Sequence, residues 1–215
     1  MGAGQARTFC GVLVAVSLGL VMPVQAAVVD HSINFGPSAV PFLSAVIGNL
    51  PLFDSGLGTL TKVKLEVDAN TNGGSIAWDN EANVASTIML GIGAEVTASA
   101  QGGLAAKATP LQLRNSAVDA DNDGAADFIG TDSFSVVDGT GSDSGSDMTV
   151  AAATLALYTG VGTFPVTLVA PVETFVSTNG GFGPVDPVPG NIDGTVTVTY
   201  RFTDHRQSRW NEEGP

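Results

Sequence analysis

Positive charge is what this sequence has least of. Eight Lys and Arg stand against 21 Asp and Glu, for a formal net charge of -13. Arg7 is the one basic residue of an amino-terminal segment described below. Without that segment, 7 basic residues face 21 acidic ones, or -14 by subtraction. A polyanion partner needs a basic footprint, so nucleic acid is excluded and anionic membrane surfaces are disfavoured. Cysteine is nearly absent. The single one, Cys10, lies in the same segment, which excludes a disulfide framework and the small stapled domains that depend on one. His31 and His205 are the only histidines, too few for a His-rich zinc site. No apolar run approaches the roughly 20 residues of a membrane-spanning helix. No G-x-S-x-G elbow supports a nucleophilic serine. Glu66, Glu81, Glu95 and Glu173 are isolated, whereas glycoside hydrolysis needs two carboxylates across a cleft. These absences point away from an enzyme.

What is present begins with an export signal. Met1 to Ala26 carries Arg7, an apolar run from Phe9 to Val21, then Pro23 and the small-residue site Val24-Gln25-Ala26, which predicts cleavage after Ala26. The mature chain, 44% hydrophobic and 13% charged over the whole sequence, has enough apolar residues for one buried domain.

That domain reads as all β. Thr61, Val63, Leu65 and Val67 alternate with Lys62, Lys64 and Glu66, and Val196, Val198, Tyr200 and Phe202 with Thr195, Thr197, Thr199 and Arg201. This is the period-two pattern of strands with one buried and one wet face. One long strand is expected over residues 87–98, with Ile88, Leu90, Ile92, Ala94, Val96 and Ala98 on one face and Gly91 and Gly93 leaving room on the other. Further strands are expected at residues 32–35, 75–78, 154–158, 163–170 and 173–177, at the end of 100–113, and around Phe134 to Val137. A loop or helical turn is expected between the first strand and Phe53. Asp68 to Gly74, rich in Asn and Gly, is expected to reverse the chain. Short strands punctuated by Gly, Asn and Pro predict an antiparallel β-sandwich, jelly-roll or immunoglobulin-like, of about 8–10 strands.

The acidic residues gather between Asp119 and Asp147, with no Lys or Arg among them. Asp119, Asp121 and Asp123, then Gly124 and Asp127, follow the D-x-D-x-D-G order of calcium loops, which places hard oxygen donors on one turn. The expected side-chain ligands are Asp119, Asp121, Asp123 and Asp127, with the Ala125 carbonyl, and Ca2+ is the candidate cofactor. The twelfth position, where such a loop carries a bidentate acid, holds Gly130, and Asp132 comes two residues late. The competing reading is an exposed turn in which Asp and Asn cap local amides.

Three segments carry a family resemblance: Phe53-Asp-Ser-Gly-Leu-Gly-Thr-Leu-Thr-Lys-Val-Lys-Leu, Asp123-Gly-Ala-Ala-Asp-Phe-Ile-Gly-Thr and Leu155-Ala-Leu-Tyr-Thr-Gly-Val-Gly-Thr-Phe. With the closing Gly194-Thr-Val-Thr-Val-Thr-Tyr, the chain from Val29 to Thr203 resembles the bacterial choice-of-anchor E domain. The resemblance implies an exported, mostly β domain with no catalytic residues, usually followed by a sorting signal of the Pro-Glu-Pro type. After Thr203 the sequence holds only the polar stretch Asp204 to Pro215. This leaves release, truncation and attachment through a partner open. The expected organisation is a signal over 1–26, the sandwich over 27–203 and a tail over 204–215. The expected function is that of a non-catalytic protein, secreted or held at the cell surface, in the bacterial extracellular matrix. Its expected partners are extracellular polysaccharide or further copies of itself, added at open sheet edges. The alternative is a carbohydrate-binding module stacking sugars on exposed aromatics such as Trp78 or Trp210.

Overall fold

The computed structural model describes residues 26–204. The expected export signal as far as Gln25, with Cys10, and the expected tail from His205, with Trp210, lie outside the described residues. Strand formation reaches both boundaries. The first strand begins at Ala26, and the last takes in Asp204, which the sequence pattern assigns to the tail.

The described residues form 14 strands. Two are unbroken: β1 (Ala26–Ala39) and β2 (Phe42–Pro51). The other twelve are parts of six longer strands, each interrupted once. β3 (Gly58–Asn72) continues as β4 (Ser75–Asp79), and β5 (Ser86–Ala94) as β6 (Val96–Ser99). β7 (Ala105–Ala108) continues as β8 (Leu111–Val118), and β9 (Ser133–Val136) as β10 (Thr140–Thr149). β11 (Thr163–Ala170) continues as β12 (Val172–Thr178), and β13 (Val185–Val188) as β14 (Asn191–Asp204).

Counting each broken pair once leaves eight long strands in two antiparallel layers. One layer runs β1-β14-β3-β10 and carries on as β13-β4-β9. The other runs β2-β11-β6-β7 and carries on as β12-β5-β8. In chain order these layers are 1-8-3-6 and 2-7-4-5, the connectivity of a jelly roll. The β-sandwich expected from the sequence is therefore the fold observed.

The interruptions form a belt around the molecule. Gly73-Gly74, Pro110, Gly139, Pro171 and Gly190 all lie on it. A methyl group on Gly190 would fall 2.5 Å from the Gly73 carbonyl oxygen, and one on Gly93 would fall 2.1 Å from that of Pro110. Only glycine lets the backbones cross so closely. The Asn-Gly cluster from Asp68 therefore works differently from the expected hairpin: pairing holds to Asn72, and Gly73-Gly74 passes the chain into the second half of the same layer. The belt also divides the expected single strand over residues 87–98 at Glu95. It separates two cores as well. The larger lies between β3, β14 and β1 on one side and β11, β6 and β7 on the other, and includes Val63, Leu65, Val198, Tyr200, Phe164 and Leu168. The smaller core, beyond the belt, holds Ile76, Trp78, Ile88, Leu90, Ile92, Val118 and Val136.

Other sequence expectations are corrected. Residues 42–51 form a strand paired with β11, not a loop or helical turn, with Pro41 and Pro51 at its ends. Proline is tolerated there because the ladder makes no demand on its missing N–H. Thr61 is exposed and Leu60 is buried, because a register shift opposite Arg201 and Phe202 changes the face of the strand's first residues. Residues 154–158, expected as a strand, belong to helix α1 (Ala152–Leu157) and the turn after it. The alternation Leu155, Leu157 suits a strand, but Ala and Leu are strong helix formers. The turn delivers Tyr158 to the core, where its hydroxyl donates to the Gln101 carbonyl at 2.5 Å.

Candidate functional site

At the end of the sandwich beyond the belt, three loops meet: 80–85, 119–132 and 179–184. Strand β4 ends at Asp79, and the chain turns through Asn80, a buried residue that acts as the knot of this apex. Its backbone N–H donates to the Asp132 carbonyl at 3.0 Å. Its side-chain amide donates to the carbonyls of Asp119 at 2.7 Å and Val84 at 2.9 Å. The Asp121 N–H reaches the Ala82 carbonyl at 2.8 Å, and that of Glu81 reaches Phe182 at 2.9 Å. A side chain at Gly181 would strike Trp78 and Asn80. The loops are thus fixed to one another and to the smaller core beneath.

This scaffold folds one loop back on itself so that Asp132 meets Asp121 and Asp123. One oxygen from each of Asp121, Asp123 and Asp132 lies within 4.8 Å of the others. Asp132 is 3% exposed. One of its oxygens accepts from the Asn122 N–H at 3.2 Å, and the other, Oδ1, is buried with no hydrogen-bond partner. Gly130 stands beside it with φ +103°, a conformation that favours glycine, and a Cβ there would also sit 2.7 Å from Oδ1. Asp79, also buried, accepts from the Phe128 N–H at 2.9 Å. Partial loss of solvent raises the Glu81 carboxyl from its ordinary value, and the negative charges of Asp121, Asp79, Asp123 and Asp132 raise it further. The three loops contain no Lys or Arg. Carboxylates so placed repel one another and offer only hard oxygen donors, the donor set of calcium, magnesium or manganese.

The four residues expected as ligands divide. Asp121 and Asp123 join the cluster. Asp119 stands outside it, its N–H donating to Thr131 and its carbonyl accepting from Asn80. Asp127 also stands outside and caps the Ile129 N–H at 2.9 Å. The capping role weighed against calcium is real for part of the loop: Asp121 accepts from the Asp123 and Gly124 amides, and Asp123 accepts from Ala125. Sequence spacing passes over Asp132, because the loop doubles back at Gly130 rather than following a helix-flanked calcium loop. Asp79 and Glu81 are missed because they come from another connection. The only local signal is an Asp-Asn-Glu run directly after the strand expected over residues 75–78.

The acids downstream serve another purpose. On β10, Gly141, Asp143, Gly145 and Asp147 share one face, and the strand crosses the β7–β8 segment. Asp143 accepts from the Thr109 N–H at 2.6 Å, and Asp147 accepts from that of Ala105 at 3.1 Å. A Cβ at Gly145 would overlap the Lys107 carbonyl at 1.6 Å. Glycine lets the strand approach, and aspartate satisfies edge amides that would otherwise be open to another chain.

A second surface lies before the belt, on the outer face of β1-β14-β3-β10. Paired residues form rows across it: Asp193, Asn70 and Ser142; Asn34, Thr195, Asp68 and Ser144; Ser32, Thr197, Glu66 and Ser146. Asp193 accepts from the Asn70 side-chain amide at 3.0 Å and from that of Asn72 at 2.7 Å. Asn70, Asn72, Thr140, Ser142 and Asp193 line a shallow open groove of about 530 Å³. Trp78 contributes to neither surface, because it is 1% exposed in the smaller core. Sugar stacking at that position is therefore ruled out. His31 packs edge-on against Tyr200, with ring centroids 6.1 Å apart.

No family model matches the sequence, and no curated protein matches it. Among solved structures, two chains titled as infectious bursal disease virus, Gt strain and Gx strain, align over 92% and 93% of this chain, at 11% and 10% identity. The chain spans about half the length of each, 48% and 47%. The TM-scores are 0.12 and 0.11, so neither alignment bears on fold or function.

Proposed function

We propose that this chain is a non-catalytic, exported β-sandwich of the choice-of-anchor E type. It works at the bacterial surface or in the extracellular matrix by offering its polar strand face to polysaccharide. The observation that carries this reading is the face of β14, β3 and β10. Amide, hydroxyl and carboxylate groups stand there in register rows, and Asp193 holds the Asn70 and Asn72 amides in place. Such groups match the alternating donors and acceptors of sugar hydroxyls. An array fixed by its own hydrogen bonds loses little side-chain entropy on binding. The groove is open rather than enclosed, which suits a polymer better than a small substrate.

The test is co-sedimentation of the purified full chain with insoluble cellulose, and affinity electrophoresis in gels carrying dextran or alginate. Retention is expected on at least one of these polysaccharides. It should fall tenfold or more when Asn70→Ala and Asn72→Ala are combined, with an unchanged circular dichroism spectrum. Wild-type protein that migrates freely through every polysaccharide would end the proposal. Export is checked separately: amino-terminal sequencing of protein recovered outside a Gram-negative host should begin at Ala27.

A further inference from the structure

We propose that the apex of the sandwich is a calcium site with Asp121, Asp123 and Asp132 as its side-chain ligands. It does not depend on the polysaccharide reading, since it lies beyond the belt from that face. Two independent observations support it. The first is convergence: three carboxylate oxygens lie within 4.8 Å of one another, with no basic residue in the loops that form the apex. Two oxygens bound to one calcium at about 2.4 Å stand at most about 4.8 Å apart, a condition that each pair of the three carboxylates meets. The second is the Asp132 side chain. It is 97% buried, and its Oδ1 has no hydrogen-bond partner. A buried carboxylate oxygen without a donor is strongly unfavourable, and a bound cation is the partner that relieves it. Surface aspartates that only cap turns, as Asp127 does, have no need of one.

Calcium fits better than magnesium. The ligands come from an irregular loop, and calcium accepts six to eight oxygens in flexible geometry, whereas magnesium demands a near-ideal octahedron and keeps its waters. The structural consequence follows from what surrounds Asp132. Its carbonyl accepts from Asn80, and it directly precedes β9, which pairs with β4 beside Trp78. An ion at Asp132 therefore ties the 119–132 loop to the end of β4 and to the smaller core.

The experiment uses chelator-treated full chain, titrated with CaCl2 and separately with MgCl2, with binding read by calorimetry and stability by thermal melting. Calcium should bind one ion per chain. Free calcium at about a hundred times its dissociation constant should raise the melting temperature by about 5–10 °C. Asp132→Asn should weaken calcium binding tenfold or more, yet its calcium-free form should melt no lower than calcium-free wild type. The amide keeps the shape and removes a buried charge. Asp123→Asn, at an exposed position, should weaken binding without affecting folding, which keeps the test decisive if the Asp132 variant fails to fold. Asp119→Asn and Asp127→Asn should bind as wild type does. Several results would overturn the assignment: no shift of the wild type up to about 10 mM calcium, tenfold above the range of weak extracellular sites; an equal response to magnesium; unweakened binding in both Asp132→Asn and Asp123→Asn; or loss of binding in Asp119→Asn.

Discussion

Trp78→Ala tests the division of the sandwich into two cores. Trp78 is 1% exposed and packs with Ile76, Ile88, Leu90, Ile92, Val118 and Val136. A buried Trp removes about 200 Å² from water, and at about 25 cal/mol per Å² that is worth about 5 kcal/mol. Alanine keeps part of this but leaves a cavity, and such truncations cost about 3–5 kcal/mol. In a domain of this size each kcal/mol moves the melting temperature by about 2–4 °C, so a fall of about 6–20 °C is expected. The assay is thermal melting by circular dichroism, paired with the polysaccharide measurement at a temperature where the variant is folded. Polysaccharide binding should be unchanged, because the polar face belongs to the other half. A melting temperature within about 3 °C of wild type would refute the burial argument. Lost binding at unchanged stability would instead restore Trp78 as a sugar-stacking residue.

Two further perturbations follow from the packing. Asp143→Ala with Asp147→Ala strips the acceptors from the Thr109 and Ala105 amides; each loss should cost about 1 kcal/mol, and light scattering should show more self-association through the uncovered β7 edge. Both tyrosines are buried, and burial raises each phenol above its ordinary value, reinforced by Asp147 at Tyr158 and by Tyr158 at Tyr200. A phenol with a raised folded pKa holds its proton more tightly folded than unfolded. Its contribution is therefore complete below the unfolded value of about 10 and is lost as pH rises above it. Tyrosinate absorbance should therefore appear only together with loss of the circular dichroism signal; ionisation in a still-folded protein would contradict the burial.

Local pattern carried much of this structure. The alternation through Val63, Leu65 and Val67, and through Val196, Val198, Tyr200 and Phe202, reports directly which face meets the core, because a strand's side-chain period is two. The close approach at Gly91 and Gly93 was equally readable, since a glycine on a strand leaves room for a neighbour. Two of the three clustered carboxylates, Asp121 and Asp123, also came from local spacing.

The tertiary structure decided whatever depends on a distant partner. Strand β10 is a run of Thr, Gly, Ser and Asp with a single exposed Met148 and no apolar face, and it exists as a strand because β3 pairs with it and its glycines fit against β7 and β8. Pairing with β11 makes residues 42–51 a strand, and a core position makes Tyr158 the end of a helical turn. Asp132 became a site residue only when the loop folded back at Gly130, under the hold of Asn80 from another connection. Composition and period-two patterning together determined an acidic, cysteine-poor, all-β chain. The placing of a buried, unpartnered carboxylate among two others required the jelly-roll connectivity, which brings three separate loops to one apex.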